Sequence, residues 1–351
     1  MSYPTFLPEW VPQQAVMLAW PHASTDWAPW LNEIDACYVG LVRAIAQAAT
    51  PLILYQNADH LAHIRKLIGE LSGNAPIYLE CAYDDTWCRD YGPLTIGEMP
   101  AAPDADAKAS ACRMLDFQFS GWGDKFAASQ DNAVNQHLRA RGVWKLPLET
   151  IEIELEGGSV ESDGEGTLMT TTACLLGGNR NEALPRGALE DLLREKFGVE
   201  RILWIENGHL CGDDTDSHID NLVRFASTDT LMYAACDRVD DEHFQPLQAM
   251  YHELTELRTK EGATYRLLPL YIPEALFDEN GKRLPASYAN FLIVNRHIIV
   301  PQFDSPYDSK ALEQIALAFP DYTLLPISGK ALIKQYGGPH CATMQLPCGS
   351  V

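Results

Sequence analysis

Apolar residues fall in short runs between turn-forming residues, and the period of the runs changes along the chain. Ala15-Val16-Met17-Leu18-Ala19-Trp20 is a continuous apolar stretch stopped by Pro21, which predicts a buried strand. From 32 to 48 the apolar positions Ile34, Leu41, Val42 and Ile45 recur at helical spacing, with Asn32 as N-cap and Pro51 as the stop. Residues 52–55 read as a strand, 59–71 as a helix ending at Gly73, and 77–79 as another strand. Strand, helix, strand, helix, strand is the α/β pattern.

Further on, 98–111 is rich in Ala, Pro and Asp and reads as an exposed loop, 115–119 as a strand, and 131–141 as a helix closed by Gly142. Residues 151–155 alternate Ile-Glu-Ile-Glu-Leu. On a strand Ile151, Ile153 and Leu155 face one side, and Glu152, Glu154 and Glu156 the other. Gly157-Gly158 follow, where a ligand or another backbone can approach closely. Strands are predicted at 167–172, 201–205, 231–235 and 265–270, and helices at 186–196, from 244 to 260 and at 310–319. Residues 286–301 read as two strands around Asn295-Arg296. No low-complexity linker interrupts the chain, so one catalytic domain over 1–351 is expected. A strand running into a glycine- or acid-bearing turn recurs at Arg89, Glu156, Gly212 and Gly337, a weak internal symmetry.

Charge narrows the partners. The 351 residues carry a net charge of −22, which argues against nucleic acid and against an anionic membrane surface, since both need clustered Lys and Arg. Such a field draws a small cation. No apolar run approaches the ~18 residues of a membrane span, and the N-terminus lacks a basic start and apolar core. Nine cysteines without a CxxC pair fit a reduced compartment, so a cytoplasmic location is expected. A homo-oligomer is left open.

The candidate chemistry centres on 207–225, NGHLCGDDTDSHIDNLVRF. If His218-Ile219-Asp220 runs as a strand, His218 and Asp220 share a face and Ile219 packs behind. A proton carrier beside a fixed anion suits a cationic substrate. Asp213, Asp214 and Asp216 lack the spacing and closing Glu of a calcium loop and read equally as solvated acids or caps. Asp90 is a substrate-binding candidate or the ion-pair partner of Arg89, and Glu156 a candidate acid at the glycine pair. Cys341 follows Gly337-Gly338-Pro339-His340, a tight turn expected to expose the thiol as a nucleophile; the alternative is a small buried hydrophobe. Taken together, these groups fit a planar guanidinium, whose rigid fork of five donors matches paired carboxylates.

The sequence resembles the agmatine deiminase and bacterial-type peptidyl-arginine deiminase family of the guanidino-group-modifying superfamily. The resemblance rests on Trp87-Cys88-Arg89-Asp90-Tyr91-Gly92-Pro93, Glu156-Gly157-Gly158-Ser159 and Gly212-Asp213-Asp214-Thr215-Asp216-Ser217-His218-Ile219-Asp220-Asn221. Ser287-Tyr288-Ala289-Asn290-Phe291 and the terminal Gly337-Gly338-Pro339-His340-Cys341 complete it. It implies a pseudo-symmetric five-bladed α/β propeller of ββαβ units (pentein) and hydrolysis of a guanidinium to a ureido group with release of ammonia. It further implies Cys341 as nucleophile, His218 as general acid and base, Asp90 and Asp220 as the carboxylates that hold the cation, and Glu156 as the acid supporting histidine and substrate. Trp87 and Asp214 are further substrate-contacting candidates, with Asp213 or Asp214 for a distal amine. No metal and no organic cofactor are implied.

Agmatine is the expected substrate, because an acidic mouth welcomes a second positive charge, and its product N-carbamoylputrescine leads to putrescine. The family's agmatine deiminases commonly carry a longer glycine run with Asn and Ile before the His-Cys pair, where this chain has only Gly-Gly-Pro. Peptidyl-arginine deimination therefore stays open, as does an amidinotransferase on the same scaffold.

Overall fold

A computed structural model of the chain describes residues 4–99, 110–181, 184–347 and 349–351. Their strands sort into five sheets. Each sheet repeats one plan: a first strand antiparallel to a second, then a helix returning the chain to a third strand parallel to the second. In the first unit these are Leu94–Glu98, Ser110–Gln118, helix Val134–Ala140 and Leu148–Glu154. The second is Val160–Ser162, Thr167–Thr171, helix Arg186–Phe197 and Arg201–Ile205. The third is Val223–Phe225, Thr230–Ala235, helix Phe244–Glu256 and Arg266–Tyr271. The fourth is Leu292–Val294, His297–Gln302, helix Tyr307–Ala318 and Thr323–Ser328.

The fifth unit is assembled from both ends of the chain. Met344–Pro347 pairs antiparallel with Gln13–Ala19, and helix Leu31–Ala46 leads to the parallel strand Thr50–Tyr55. Helix Ala58–Ile68 and strand Ile77–Glu80 extend this sheet. This is the expected five-bladed α/β propeller of ββαβ units, the pentein architecture.

Apolar periodicity explains the packing. Ile34, Leu41, Val42 and Ile45 form one fully buried helix face, and Leu247, Met250 and Leu254 another. Second strands such as Thr230–Ala235 are buried along their whole length, as parallel strands covered on both faces are. Among the described residues no helix is long and apolar enough to cross a membrane.

Several boundaries differ from the sequence reading. The first helix begins at Leu31 after a 3-10 turn at Ala28–Trp30, so Asn32 is inside it and Trp30 is the N-cap. The second ends at Gly69, not Gly73, because Gly69 turns the chain with φ +60°. The helix expected to reach 260 ends at Glu256. Of the loop predicted at 98–111, residues 100–109 lie outside the described residues, and strands occupy both flanks. Glu156 does not continue the alternation of 151–155. The strand stops at Glu154, and Glu156 turns inward to complete burial.

Function is positioned by one repeated feature. The first strand of each unit is entered through a short irregular turn. The five turns carry Arg89-Asp90, Glu156 with Gly157–Ser159, His218 with Ile219–Asn221, 287–290, and His340-Cys341.

Candidate active site

The five turns meet and bond to one another. Asp90 lies on the one-turn helix Cys88–Tyr91. Its Oδ1 accepts from the Gly158 amide at 2.9 Å and its Oδ2 from the Trp122 indole at 3.0 Å. His218 sits between two carboxylates, with Nδ1 3.6 Å from Asp90 Oδ1 and Nε2 3.9 Å from Glu156 Oε2. Across the site, Asp220 Oδ2 is 2.8 Å from His340 Nδ1 and 3.4 Å from the Cys341 sulfur, and accepts from Asn290 Nδ2 at 3.2 Å. Asn290 Nδ2 also lies 3.0 Å from that sulfur, while Asn290 Oδ1 accepts from the backbone amides of His340 at 3.0 Å and Cys341 at 3.2 Å. The Arg89 amide donates to the Cys341 carbonyl at 3.2 Å and closes the circuit.

Two glycines permit this convergence by their lack of a side chain, at ordinary negative φ. A Cβ on Gly158 would stand 2.7 Å from His218 Nδ1, 2.9 Å from Asp90 Oδ1 and 3.1 Å from Asp220 Oδ2. A Cβ on Gly337 would stand 2.3 Å from the Trp87 ring. Displacing reacting groups by about 1 Å costs roughly 100-fold in rate. Gly158→Ala is therefore expected to lose catalytic efficiency on that scale. Steady-state ammonia release measures it, and a wild-type rate would show that the groups around Gly158 are not the reacting ones.

The Cys341 sulfur and the Asp90 carboxylate end a cavity of about 350 Å³. Its walls are aromatic, from Trp30, Trp87, Trp122 and Phe126, and its other lining groups include Asp26, Asp85 and Asp214. His218, Glu156 and Asp220 lie behind, each no more than 1 % exposed.

Burial dominates the electrostatics. It pushes Asp90 well above the usual carboxylate range, and the charges of Asp220 and Glu156 push it further. Glu156 is also raised by burial, against the opposing pull of Arg180. Asp220 is the exception: burial raises it, but the His340 hydrogen bond together with the surrounding His340, His218 and Arg224 side chains outweighs that and holds it low. Burial lifts the Cys341 thiol well above 9.0, and Asp220 and Asp90 add to the rise. It also depresses His218 from 6.5 to about 3, with Asp220 only partly opposing. At neutral pH the free site thus holds a neutral imidazole and a protonated thiol, beside acids whose ionised forms a bound cation would favour.

The depressed His218 has a measurable consequence. Between 6.5 and about 3 the unfolded chain binds a proton that folded His218 refuses. Its contribution to stability is complete above 6.5 and is lost as pH falls across that window. A His218→Gln variant is expected to show a flatter melting temperature against pH there, read by thermal denaturation; a slope equal to the wild type's would contradict the burial of a neutral ring.

Cys341, His218, Glu156, Asp220 and Asp90 are brought together, and Trp87 and Asp214 line the cavity. Asp213 instead ties its own loop, accepting from Thr215 Oγ1 and the Ser217 amide, each at 2.7 Å. Two expectations are corrected. The segment Ile219–Asn221 is a 3-10 turn rather than a strand, although His218 and Asp220 both still reach the space beside Gly158. The Cys341 thiol is not exposed by its glycines; the residue is 5 % exposed, packed beneath Asn290 and Asp220 at the cavity end. Asn290, His340, Trp122 and Arg180 were missed as site residues. Asn290 had a signal, since it precedes a first strand as the other turn residues do. Trp122 had little beyond its two glycine neighbours. It lies in a turn where Gly121, Trp122, Gly123 and Asp124 all have positive φ, anchored through the indole to Asp90.

Two groups among the described residues have metal-ligand composition. Ligand atoms of Glu156, Cys174 and His218 lie within 4.8 Å of one another, as do those of Glu9, Glu161 and His340. Each already contains guanidinium counter-charge. Arg180 binds Glu156 at 2.5 Å, while Arg224 binds Glu161 and, at 2.6 Å, Glu9.

Residues 5–347 match the profile of a family described as Porphyromonas-type peptidyl-arginine deiminase. The agmatine deiminase of Pseudomonas aeruginosa (strain LESB58) is 31% identical over 383 aligned residues, covering 99% of each chain. Among solved structures, a cysteine-to-serine variant of the C. jejuni agmatine deiminase with substrate bound superposes with a TM-score of 0.89 at 34% identity, over 99% of this chain and 98% of that one. A Porphyromonas gingivalis protein provisionally named an arginine deiminase gives a TM-score of 0.88 at 41% identity, over 99% and 100%.

Proposed function

The chain belongs to the Porphyromonas-type peptidyl-arginine deiminase family, and from that premise we propose that it hydrolyses agmatine to N-carbamoylputrescine and ammonia through a covalent amidino-cysteine on Cys341. It is a hydrolase of amidine C–N bonds, and its substrate is a small guanidinium. The observation that carries the reading is the end of the 350 Å³ cavity, where one thiol and one carboxylate face in and two further carboxylates and an imidazole stand directly behind. The whole chain, 1–351, acts as one catalytic unit, since the turns of all five sheets contribute to it.

The chemistry follows from the charges. Asp90 and Asp220 hold the guanidinium with its central carbon over the Cys341 sulfur. The arriving cation lowers the cost of the Asp90 carboxylate and of the thiolate, which the neutral His218 does not supply. Sulfur attacks the carbon, the C=N π pair moves to nitrogen, and a tetrahedral adduct forms. His218, having taken the thiol proton, gives it to the departing nitrogen; the C–N bond breaks, ammonia leaves, and an amidino-cysteine remains. His218 then takes a proton from water, the hydroxyl adds to the same carbon, and collapse breaks the C–S bond to give the ureido product and the thiol.

Agmatine is favoured over arginine by the mouth. Asp26, Asp85 and Asp214 line the cavity, and among the described residues its one basic lining residue, Lys334, is already paired with Glu33 at 2.6 Å. Burial pushes Asp85 and Asp214 each up to about 7, so a distal ammonium would draw both into the ionised state. A second reading, peptidyl-arginine, is favoured by an adjoining cavity of about 520 Å³ that shares Trp30, Lys334 and Tyr336 with the first. Ammonia release from agmatine, free arginine and an arginine-containing peptide in parallel decides between them. Agmatine is expected to exceed each of the others by roughly 100-fold in kcat/KM. A peptide that matches or exceeds agmatine would transfer the assignment to the second reading.

A further inference from the structure

Arg180 is absent from the cavity wall and has no exposed surface in its side chain, yet each of its three guanidinium nitrogens donates a hydrogen bond. Nε donates to Glu156 Oε1 at 2.5 Å, Nη1 to Asp216 Oδ2 at 2.6 Å and Asn179 Oδ1 at 3.2 Å, and Nη2 to the Thr215 carbonyl at 3.2 Å. One planar group thus joins the acid behind His218 to the loop that delivers His218. That loop is strained. Asp216 and Ser217 take φ +64° and +66° in succession, a region that residues with a Cβ avoid. Strain of this kind persists only where surrounding contacts fix it. Here Asp216 Oδ2 is held by Arg180, by Lys125 Nζ at 2.7 Å and by Asn179 Nδ2 at 3.2 Å, while the next amide, of Ser217, is held by Asp213.

We propose that Arg180 is the positioning residue of this site, bracing Glu156 and the 215–217 turn from behind so that His218 stands between Glu156 and Asp90. The proposal rests on the roles given above to His218 and Glu156. It extends outward through Lys125, whose ammonium also bonds the Asp214 carbonyl at 2.7 Å and so links the Trp122 turn to the same brace. The charge is as important as the geometry. Glu156 faces His218 at 3.9 Å, the Cys174 thiol at 4.0 Å and the charge of Asp90, with Glu154 nearby, and Arg180 is its only cation among the described residues at ion-pair distance. Without Arg180, a buried Glu156 would take up a proton, and the 215–217 turn would relax toward ordinary φ.

The test compares wild type, Arg180→Gln, Arg180→Lys and Asp216→Asn by ammonia release from agmatine between about pH 5 and about pH 9. Arg180→Gln is expected to lose about 100-fold in kcat with KM within about 3-fold of wild type, and to move the acid limb of the kcat profile to higher pH. Arg180→Lys restores part of the loss, having the charge without the fork. Asp216→Asn loses less, because Glu156 keeps its partner. Wild-type kcat and pH profile in folded Arg180→Gln would overturn the proposal, as would a loss confined to KM, which signals substrate contact. If Arg180→Gln does not fold, Asp216→Asn decides by the same readouts. A wild-type protein that releases ammonia from no guanidine defeats the functional reading alone. In that case crystal structures of the variants still decide: Glu156 and His218 unmoved, with the 216–217 φ values retained, would overturn the brace whatever the substrate.

Discussion

Cys341→Ala is expected to abolish ammonia release from agmatine, by roughly 10,000-fold or more, while agmatine still binds. The asymmetry follows from the site. Binding comes from carboxylates and cavity walls, all of which survive the change, whereas the only sulfur lining the cavity among the described residues is lost. Cys174 cannot substitute. It is completely buried behind Glu156, and burial together with that acid's charge raises its thiol well above the ordinary range. Removing the thiol also relieves Asp220 of a neighbour at 3.4 Å, so cation binding in the variant is expected to equal or exceed that of the wild type. Calorimetric titration with agmatine beside a turnover assay separates the two quantities. Residual turnover within tenfold of wild type would remove Cys341 from the mechanism.

Asp220→Asn is expected to lower kcat/KM for agmatine by roughly 1,000-fold. Asp220 is fully buried, and it is the one acid of the site that its surroundings hold below the ordinary carboxylate pKa. Its oxygen gathers His340, Asn290 and the Cys341 sulfur. An amide there removes the standing charge that meets the guanidinium. It also sets an N–H against either Asn290 Nδ2 or His340 Nδ1, or else turns away from the sulfur. Both binding and the chemical step suffer, so KM is expected to rise as kcat falls. A variant that lost only kcat, with KM unchanged, would show that Asp220 orients Cys341 without holding the cation.

Much of this was legible before any coordinates. Period and punctuation located most strands and helices to within a few residues, because the return helices have one apolar face and second strands such as Thr230–Ala235 are dominated by apolar residues. Arg201–Ile205 was placed to the residue. Recurring turn chemistry at Arg89, Glu156, Gly212 and Gly337 signalled the repeat, although the fourth unit hid its turn at Asn290, where no acid or glycine pair marks it. Local rules failed where the chain enters the site. Alternation predicted Glu156 on one face with Glu152 and Glu154, and His218 with Asp220 on one strand, but both segments leave strand geometry at the point where their side chains become useful.

The sequence by itself determined the α/β alternation, the acidic character and the residue types able to meet a guanidinium, because periodicity, composition and motif order are properties of neighbours along the chain. The tertiary structure decided which of those residues meet. Asn290 reaches Cys341 across 51 positions, Trp122 reaches Asp90 across 32, and Arg180 joins Glu156 to Asp216 from a turn that carries no local sign of function. It also set the protonation states. Desolvation depends on how completely five separate turns exclude water from one point, and no window of sequence contains that quantity.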